Sequence, residues 1–224
     1  MSIHLYSPFV YILYVKLICF IPTYQDSIVM KFIRKTHNII LSFSSLIMLV
    51  GITYGTYDAG KFKSLNNLLC LPYDNDSVAY NSALIFLYSK YIEWGDTLFL
   101  HLSGKHISML QYTHHMTTAF LMYNNMIDYL SPHMFVFMGL NCFVHIPMYW
   151  YFSYPKGFLH SVRKMITQIQ IFQHIICLAT IIYTMNLDNC QQNKYGNQYG
   201  LIMYLMYLFY FSLFYVKSYR KKLK

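Results

Sequence analysis

Charge is what this chain has least of. Only 11% of its residues are charged, with eight acids against 17 Lys and Arg, where a soluble domain carries about a quarter. So few charges cannot clothe a water-facing surface, which excludes an ordinary soluble globular protein. The five cysteines, Cys19, Cys70, Cys142, Cys177 and Cys190, include no C-x-x-C, so a structural zinc site has no signature here. There is no G-x-G-x-x-G and no G-x-x-x-x-G-K-[ST], so neither a dinucleotide fold nor a P-loop is indicated. The net charge of +9 could point to nucleic acid. The basic residues are scattered among apolar runs, however, with no basic, aromatic-interleaved module, and no nucleic-acid partner is expected.

What the chain has is apolar length. Hydrophobic residues make up 56% and aromatics 19%, the composition of a polytopic membrane protein. The pattern predicts an all-α fold of seven transmembrane helices in a single domain over residues 1–224, with a polar site inside the bundle. The spans run from about Phe9 to Ile21, Ile39 to Tyr57, Val78 to His101, Ser108 to Met126, His133 to Tyr151, Met165 to Tyr183 and Tyr199 to Val216. The first run carries Lys16 and lacks a basic leader and a small-residue cleavage site, so it reads as an uncleaved helix rather than a signal peptide. Seven spans put twelve of the 17 Lys and Arg on one side. These are Lys31, Arg34, Lys35, Lys105, Lys156, Arg163, Lys164, Lys217, Arg220, Lys221, Lys222 and Lys224. Only Lys61, Lys63 and Lys194 fall on the other side, which places the C-terminus in the cytosol. The longest polar loop, Asp58 to Ser77, then faces the lumen with the acceptor triplet Asn75-Asp76-Ser77. A polar turn is expected from Asp128 to Pro132.

Against this background one stretch stands out. Lys90, Glu93, Asp96 and Thr97 lie late in the third span. After the turn Ser103-Gly104-Lys105-His106, the fourth span opens with Gln111, His114 and His115. Ionisable groups inside apolar segments cost several kcal/mol on some scales and persist where they meet one another or a wet cavity. Lys90, Glu93 and Thr97 share one helical stripe, and Gln111, His114 and His115 share another. The short turn makes the two helices antiparallel neighbours. Carboxylates can then orient imidazoles for acid–base or nucleophilic work.

K-x-x-E-x-x-D-T followed by a Q/H-x-x-H-H box resembles the ELO family of fatty-acid elongases. So do Asn141-x-x-Val144-His145-x-x-Met148-Tyr149-x-Tyr151 and Thr167-x-x-Gln170-x-x-Gln173, in the family's order. The resemblance runs from His37-Asn38 onward. One departure is Gln111, where the family's box has its first histidine. The resemblance implies a 3-oxoacyl-CoA synthase, an acyltransferase that condenses acyl-CoA with malonyl-CoA and releases carbon dioxide and coenzyme A. It implies no cofactor beyond these substrates. His114 with His145 would take the acyl-accepting or base role. His115, Glu93 and Asp96 would orient them, and Lys90 would pair with a carboxylate. Amides of Gln111, Asn141, Gln170 or Gln173, or the Tyr149 hydroxyl, would stabilise an oxyanion. The partners implied are membrane lipid and the ketoreductase, dehydratase and enoyl reductase of an elongation cycle.

Other readings compete. A seven-span transporter or receptor would also bury polar groups. A histidine-box oxygenase needs about eight imidazoles around two irons, and this chain has a single His-His pair. Gln170 and Gln173 serve equally as interhelical glue or as site lining. Thr36-His37-Asn38 is either a helix cap or a family position. His101, His106, His133 and His160 sit near span ends and are assigned no chemistry. Lys105, Lys156, Arg163 and Lys164 are either topogenic or the phosphate-binding mouth for coenzyme A. The tail Lys221-Lys222-Leu223-Lys224 resembles the dilysine signal for retrieval to the endoplasmic reticulum. Cys70 and Cys190 fall in the two lumen-facing loops, where disulfides persist. A bridge between them requires Cα atoms within about 7 Å; otherwise both are free thiols. Acyl chain length would depend on where the tunnel closes, on the sixth and seventh spans.

Overall fold

A computed structural model of the chain describes residues 3–24, 27–126 and 130–220. Within them the regular structure is helical throughout. A 3₁₀ turn at Ile3–Tyr6 leads into α1 (Ser7–Ile18), followed by the long α2 (Ile28–Asp58). A second 3₁₀ turn, Lys61–Lys63, and a short α3 (Leu65–Cys70) fill the expected polar loop. Then come α4 (Val78–Ile92), α5 (Trp94–Leu102), α6 (Met109–Asn124), α7 (Met134–Ser153), α8 (Phe158–Met185) and α9 (Lys194–Tyr215). The chain leaves α9 through a π-helical turn, Val216–Arg220. The starts are written locally. Ser27, Ser64, Ser77, Ser108 and Asn193 each accept a hydrogen bond from the backbone N–H three residues on, which satisfies one orphan donor of the first turn.

Four helices are long and apolar enough to cross a membrane: α2, α7, residues 160–185 of α8, and α9 extended to Tyr219. The other three expected spans are shorter or broken. The first is 12 residues long, the fourth is 16, and the third divides at Glu93 into α4 and α5. Length is what these segments lack: α1 is as apolar as α7, and α4 and α5 are each too short on their own. The Asp128 end of the expected turn lies outside the described residues, as do Lys221 and Lys222.

The helices close a ring. α2 packs along α7, α7 meets α8, α8 runs beside α9, α9 meets α6, and α6 and α2 both meet α4. α1 lies outside the ring against α5 and α6. Glycine permits the closest approach: a Cβ on Gly55 of α2 would collide with the backbone of Ala79 on α4. The exterior is apolar, with Ile47 69% and Phe172 62% exposed, while Lys90 and Glu93 inside are each 2% exposed. This inversion of the soluble pattern suits a chain solvated by lipid.

One end of the ring carries the turns rich in Lys and Arg; it is called here the basic end. At the other, Cys70 and Cys190 are joined by a disulfide with Cα atoms 4.4 Å apart. The Gln191 N–H also donates to the Cys70 carbonyl, so α3 is fastened to the α8–α9 loop. Lys61 donates to the Pro72 carbonyl and lies 4.8 Å from the Tyr73 ring centroid. Burial pushes its pKa down, and Asp74 pulls it partly back.

Candidate active site

The cluster anticipated on α4 to α6 meets residues of α7 and α8 inside the ring. At its centre is a closed circuit of side chains. Lys90 donates to Glu93 Oε1 at 2.7 Å and to Asn141 Oδ1 at 2.9 Å. Lysine can only donate, so the carbonyl end of Asn141 faces it and the amide end faces His145. Asn141 Nδ2 lies 3.1 Å from His145 Nε2, and His145 Nδ1 lies 3.6 Å from Glu93 Oε1. The amide therefore donates to Nε2, which places the ring proton on Nδ1, toward the carboxylate. Both faces of His145 are held.

A second group forms around Asp96. Its Oδ1 is 3.1 Å from His37 Nε2, and its Oδ2 accepts from the Tyr149 hydroxyl at 2.8 Å. His115 Nε2 is 3.9 Å from the same Oδ2. Trp94 Nε1 donates to the His115 carbonyl, which pins the start of α6 against α5. Thr97 is fully buried and meets the Tyr11 hydroxyl at 2.8 Å and the Gln111 amide at 3.5 Å. The break between α4 and α5 falls at Glu93. There the Asp96 N–H bonds to the Glu93 carbonyl three residues back, and the Glu93 N–H still bonds to Ser89. Such tightening within a helix often marks a functional site.

Gln111, His114 and His115 all line one cavity, as their shared face predicted, but the two imidazoles take different partners. His115, 4% exposed, turns toward Asp96 and the Tyr11 ring. His114 turns the other way, onto Tyr207 and Phe211 of α9. It has no hydrogen-bond partner among the described residues and faces a cavity of about 500 Å³. Glu93, Asp96, Gln111, Asn141, His145 and Tyr149 face the same cavity. A smaller lobe of about 40 Å³ continues from it, lined by apolar residues such as Phe86, Leu121, Met134 and Phe137, with Lys90 at its side. The two lobes meet at His114, Asn141, Gln173 and His174. This is a polar neck leading into a smaller, mostly apolar lobe.

Gln170 and Gln173 both line the cavity. Gln170 also donates to Met148 Sδ at 3.2 Å, so it serves as glue and lining together. Of the four basic residues considered for a mouth, Arg163 lines the cavity, with Ser108, Thr167 and Tyr219 beside it at the basic end. Lys105, Lys156 and Lys164 do not, and Lys164 instead sits over the Tyr215 ring. His101 bonds to the Ile21 carbonyl, and Arg163 Nη1 packs on His160. Among the described residues no three His, Cys, Asp or Glu side chains converge as metal ligands would.

His174 escaped the sequence reading. It is 4% exposed, and neither ring nitrogen has a hydrogen-bond partner among the described residues. The available signal was its position four residues after Gln170 on the same helix face. His37 was visible only as an undecided position near the start of a span; the fold gives it Asp96 as a partner.

Comparison with known proteins agrees on one family. The whole chain, residues 1–224, matches the model described as ELO: GNS1/SUR4 family. It is 31% identical to fatty acid elongase A of Dictyostelium discoideum over 195 residues, covering 83% of this chain and 71% of that protein. It is 32% identical to fatty acid elongase 2 of Trypanosoma cruzi over 169 residues, covering 67% of this chain and 60% of that protein. With fatty acid elongase 2 of Trypanosoma brucei brucei the identity is 31% over 153 residues, 62% of this chain and 56% of that protein. Two of these three alignments thus span less than two thirds of the relative's length.

Proposed function

From the premise that this chain belongs to the ELO (GNS1/SUR4) family, we propose that it is a 3-oxoacyl-CoA synthase that condenses a long-chain acyl-CoA with malonyl-CoA. Fatty-acid elongation follows from the family; the condensing step is our reading of the site. The observation that carries it is the His114 imidazole, which has no hydrogen-bond partner among the described residues and stands at the neck between a polar cavity and an apolar lobe. An acyl thioester held in the cavity of about 500 Å³ can set its carbonyl at this neck, the lobe of about 40 Å³ taking no more than a short apolar stretch. Coenzyme A then lies toward the basic end, where Arg163 offers a charged contact for phosphate.

In this mechanism His114 attacks the thioester carbon, or acts as the base beside it. His145, with its Nε2 lone pair engaged by Asn141 and its Nδ1 proton toward Glu93, does not compete as nucleophile and instead positions those two groups beside the neck. Both ends of the Asn141 amide are occupied, so the Gln173 amide, which has no hydrogen-bond partner among the described residues and lines both lobes, is the better oxyanion donor. Loss of carbon dioxide from malonyl-CoA leaves an enolate, which attacks the acyl carbon to form the new C–C bond. Lys90 offsets the carboxylate of Glu93 within a dry core. We place seven segments across the membrane of the endoplasmic reticulum, with the basic end cytosolic and Lys221-Lys222 as the retrieval signal. The later reductions and dehydration belong to partner enzymes.

The test is to incubate membranes containing the chain with acyl-CoA and labelled malonyl-CoA. Label is expected in a 3-oxoacyl-CoA two carbons longer than the substrate. No product, with the protein inserted and accumulated, overturns the reading in favour of a non-enzymatic transporter or receptor.

A further inference from the structure

The proposed condensation takes up one proton per turnover. The acyl C–S bond breaks with its electron pair going to the sulfur of coenzyme A. The bond from the malonyl C2 to its carboxylate breaks and releases carbon dioxide. The pair left on C2 forms the new C–C bond. What remains is a thiolate, and a thiol with an ordinary pKa of about 8.5 leaves a dry site best as the neutral form. The mouth through which solvent would bring a proton is the one that coenzyme A fills.

A second route exists on the opposite wall. We propose that His37, Asp96 and Tyr149 form a relay that carries this proton from the basic end of α2 into the cavity, a role that rests on the condensation reading. The two oxygens of one carboxylate make the connection: Oδ1 to His37 Nε2 at 3.1 Å, and Oδ2 to the Tyr149 hydroxyl at 2.8 Å. Asp96 and Tyr149 line the cavity and His37 does not. The His37 side chain keeps 15% of its surface exposed. It lies one turn after Arg34, whose guanidinium reaches Ser103 in the basic turn between α5 and α6. The ring fits because residue 95 is glycine: a Cβ there would stand 2.8 Å from His37 Cε1. The titratable and charged groups around the relay are Asp96 of α5, Glu93 at the α4–α5 break, His115 of α6, His145 and Tyr149 of α7, Tyr11 and Tyr14 of α1, and Arg34 of α2 itself.

Protons balance along the chain. Tyr149 turns its hydroxyl from Asp96 Oδ2 to the departing sulfur and gives it the proton. The protonated His37 ring passes a proton to the Asp96 carboxylate, which hands it to the Tyr149 phenolate. Solvent then returns a proton to the His37 ring, and each residue ends as it began. His37 acts through Asp96 and touches no substrate.

The test uses the full chain in membranes, comparing wild type with His37→Gln, His37→Ala and Tyr149→Phe. Glutamine can still donate a hydrogen bond to Asp96, but it cannot take up and release a proton. Both His37 variants should lose about a hundredfold or more in turnover, the range for acid–base groups, at unchanged KM. The pH profile of turnover should differ between wild type and His37→Gln, which has lost the one group of the relay that exchanges a proton with solvent. Added imidazole should restore His37→Ala in proportion to its protonated fraction and should not restore Tyr149→Phe. Wild-type turnover in His37→Gln would reduce His37 to a structural contact and overturn the relay. So would a His37→Ala variant that imidazole leaves unchanged. Product formation by wild type in the same membranes reports on condensation separately, so loss of the relay and loss of the proposed function are distinguishable.

Discussion

At the scale of single residues, the site separates two histidines by what holds them. His145 is fixed on both nitrogens, by Asn141 and Glu93. His114 packs on rings and the open cavity and has no hydrogen-bond partner among the described residues. His114→Ala should abolish condensation, and His145→Ala should do nearly the same, while both proteins insert and accumulate. Gln111→His should keep activity, because Gln111 bonds weakly to Thr97 at 3.5 Å and holds neither imidazole. Labelled malonyl-CoA turnover checks all three, and full activity in His114→Ala would defeat the mechanism. The buried pair gives a stability prediction. Lys90→Met leaves Glu93 charged and unpaired in the core and should cost about 3–5 kcal/mol. Adding Glu93→Gln to that variant should recover most of the loss, as read by thermal unfolding in detergent.

At the scale of elements, the motif residues were legible because spacing within a helix is a property of the chain alone. Their orientation was not. His114 and His115 are adjacent and point about 100° apart on a helix, so one faces Asp96 and the other α9. The stripe of Lys90, Glu93 and Thr97 was written as one helix, and the fold tightens it at Glu93 to turn Asp96 toward His37 and Tyr149. No local residue pattern encodes that partner choice. The α2–α4 contact depends on a missing side chain. Gly55→Ala sets a methyl group against the Ala79 backbone, and it should destabilise by about 1–3 kcal/mol. Gly139→Ala, whose added Cβ would find its nearest atom 4.0 Å away, should be near neutral. A comparison of melting temperatures decides between them; equal effects would mean that the α2–α4 seam yields freely.

For the whole molecule, the disulfide closes the end opposite the mouth. Cys70 and Cys190 are 120 residues apart in the chain, so the bridge constrains a long loop of the unfolded state. Cys70→Ser with Cys190→Ser should lose about 2–4 kcal/mol of stability. The catalytic circuit lies deeper in the ring and should keep turning over at low temperature. Thermal inactivation of the variant beside wild type measures this. Changing Lys221 and Lys222 to Ser should let the protein pass beyond the endoplasmic reticulum, which fluorescence microscopy would follow. Unchanged localisation would leave the basic tail as a topological signal only.

The sequence by itself determined that the chain is helical and apolar outside, and that Lys90, Glu93, Asp96, His114, His115 and His145 would be costly unless gathered. Those conclusions rest on transfer free energy and helical period, which are local. It also narrowed the oxidised pair to two cysteines outside the apolar runs. Only the tertiary structure decided that six helices close a ring around the cluster with α1 outside. Only it decided that Asn141 bridges Lys90 to His145, and that His37 and His174 join the site from helices far away in sequence. Arg163 alone of the four basic candidates reaches the cavity for the same reason. A side chain's partner is set by where a second helix crosses, and that crossing depends on packing across the whole bundle.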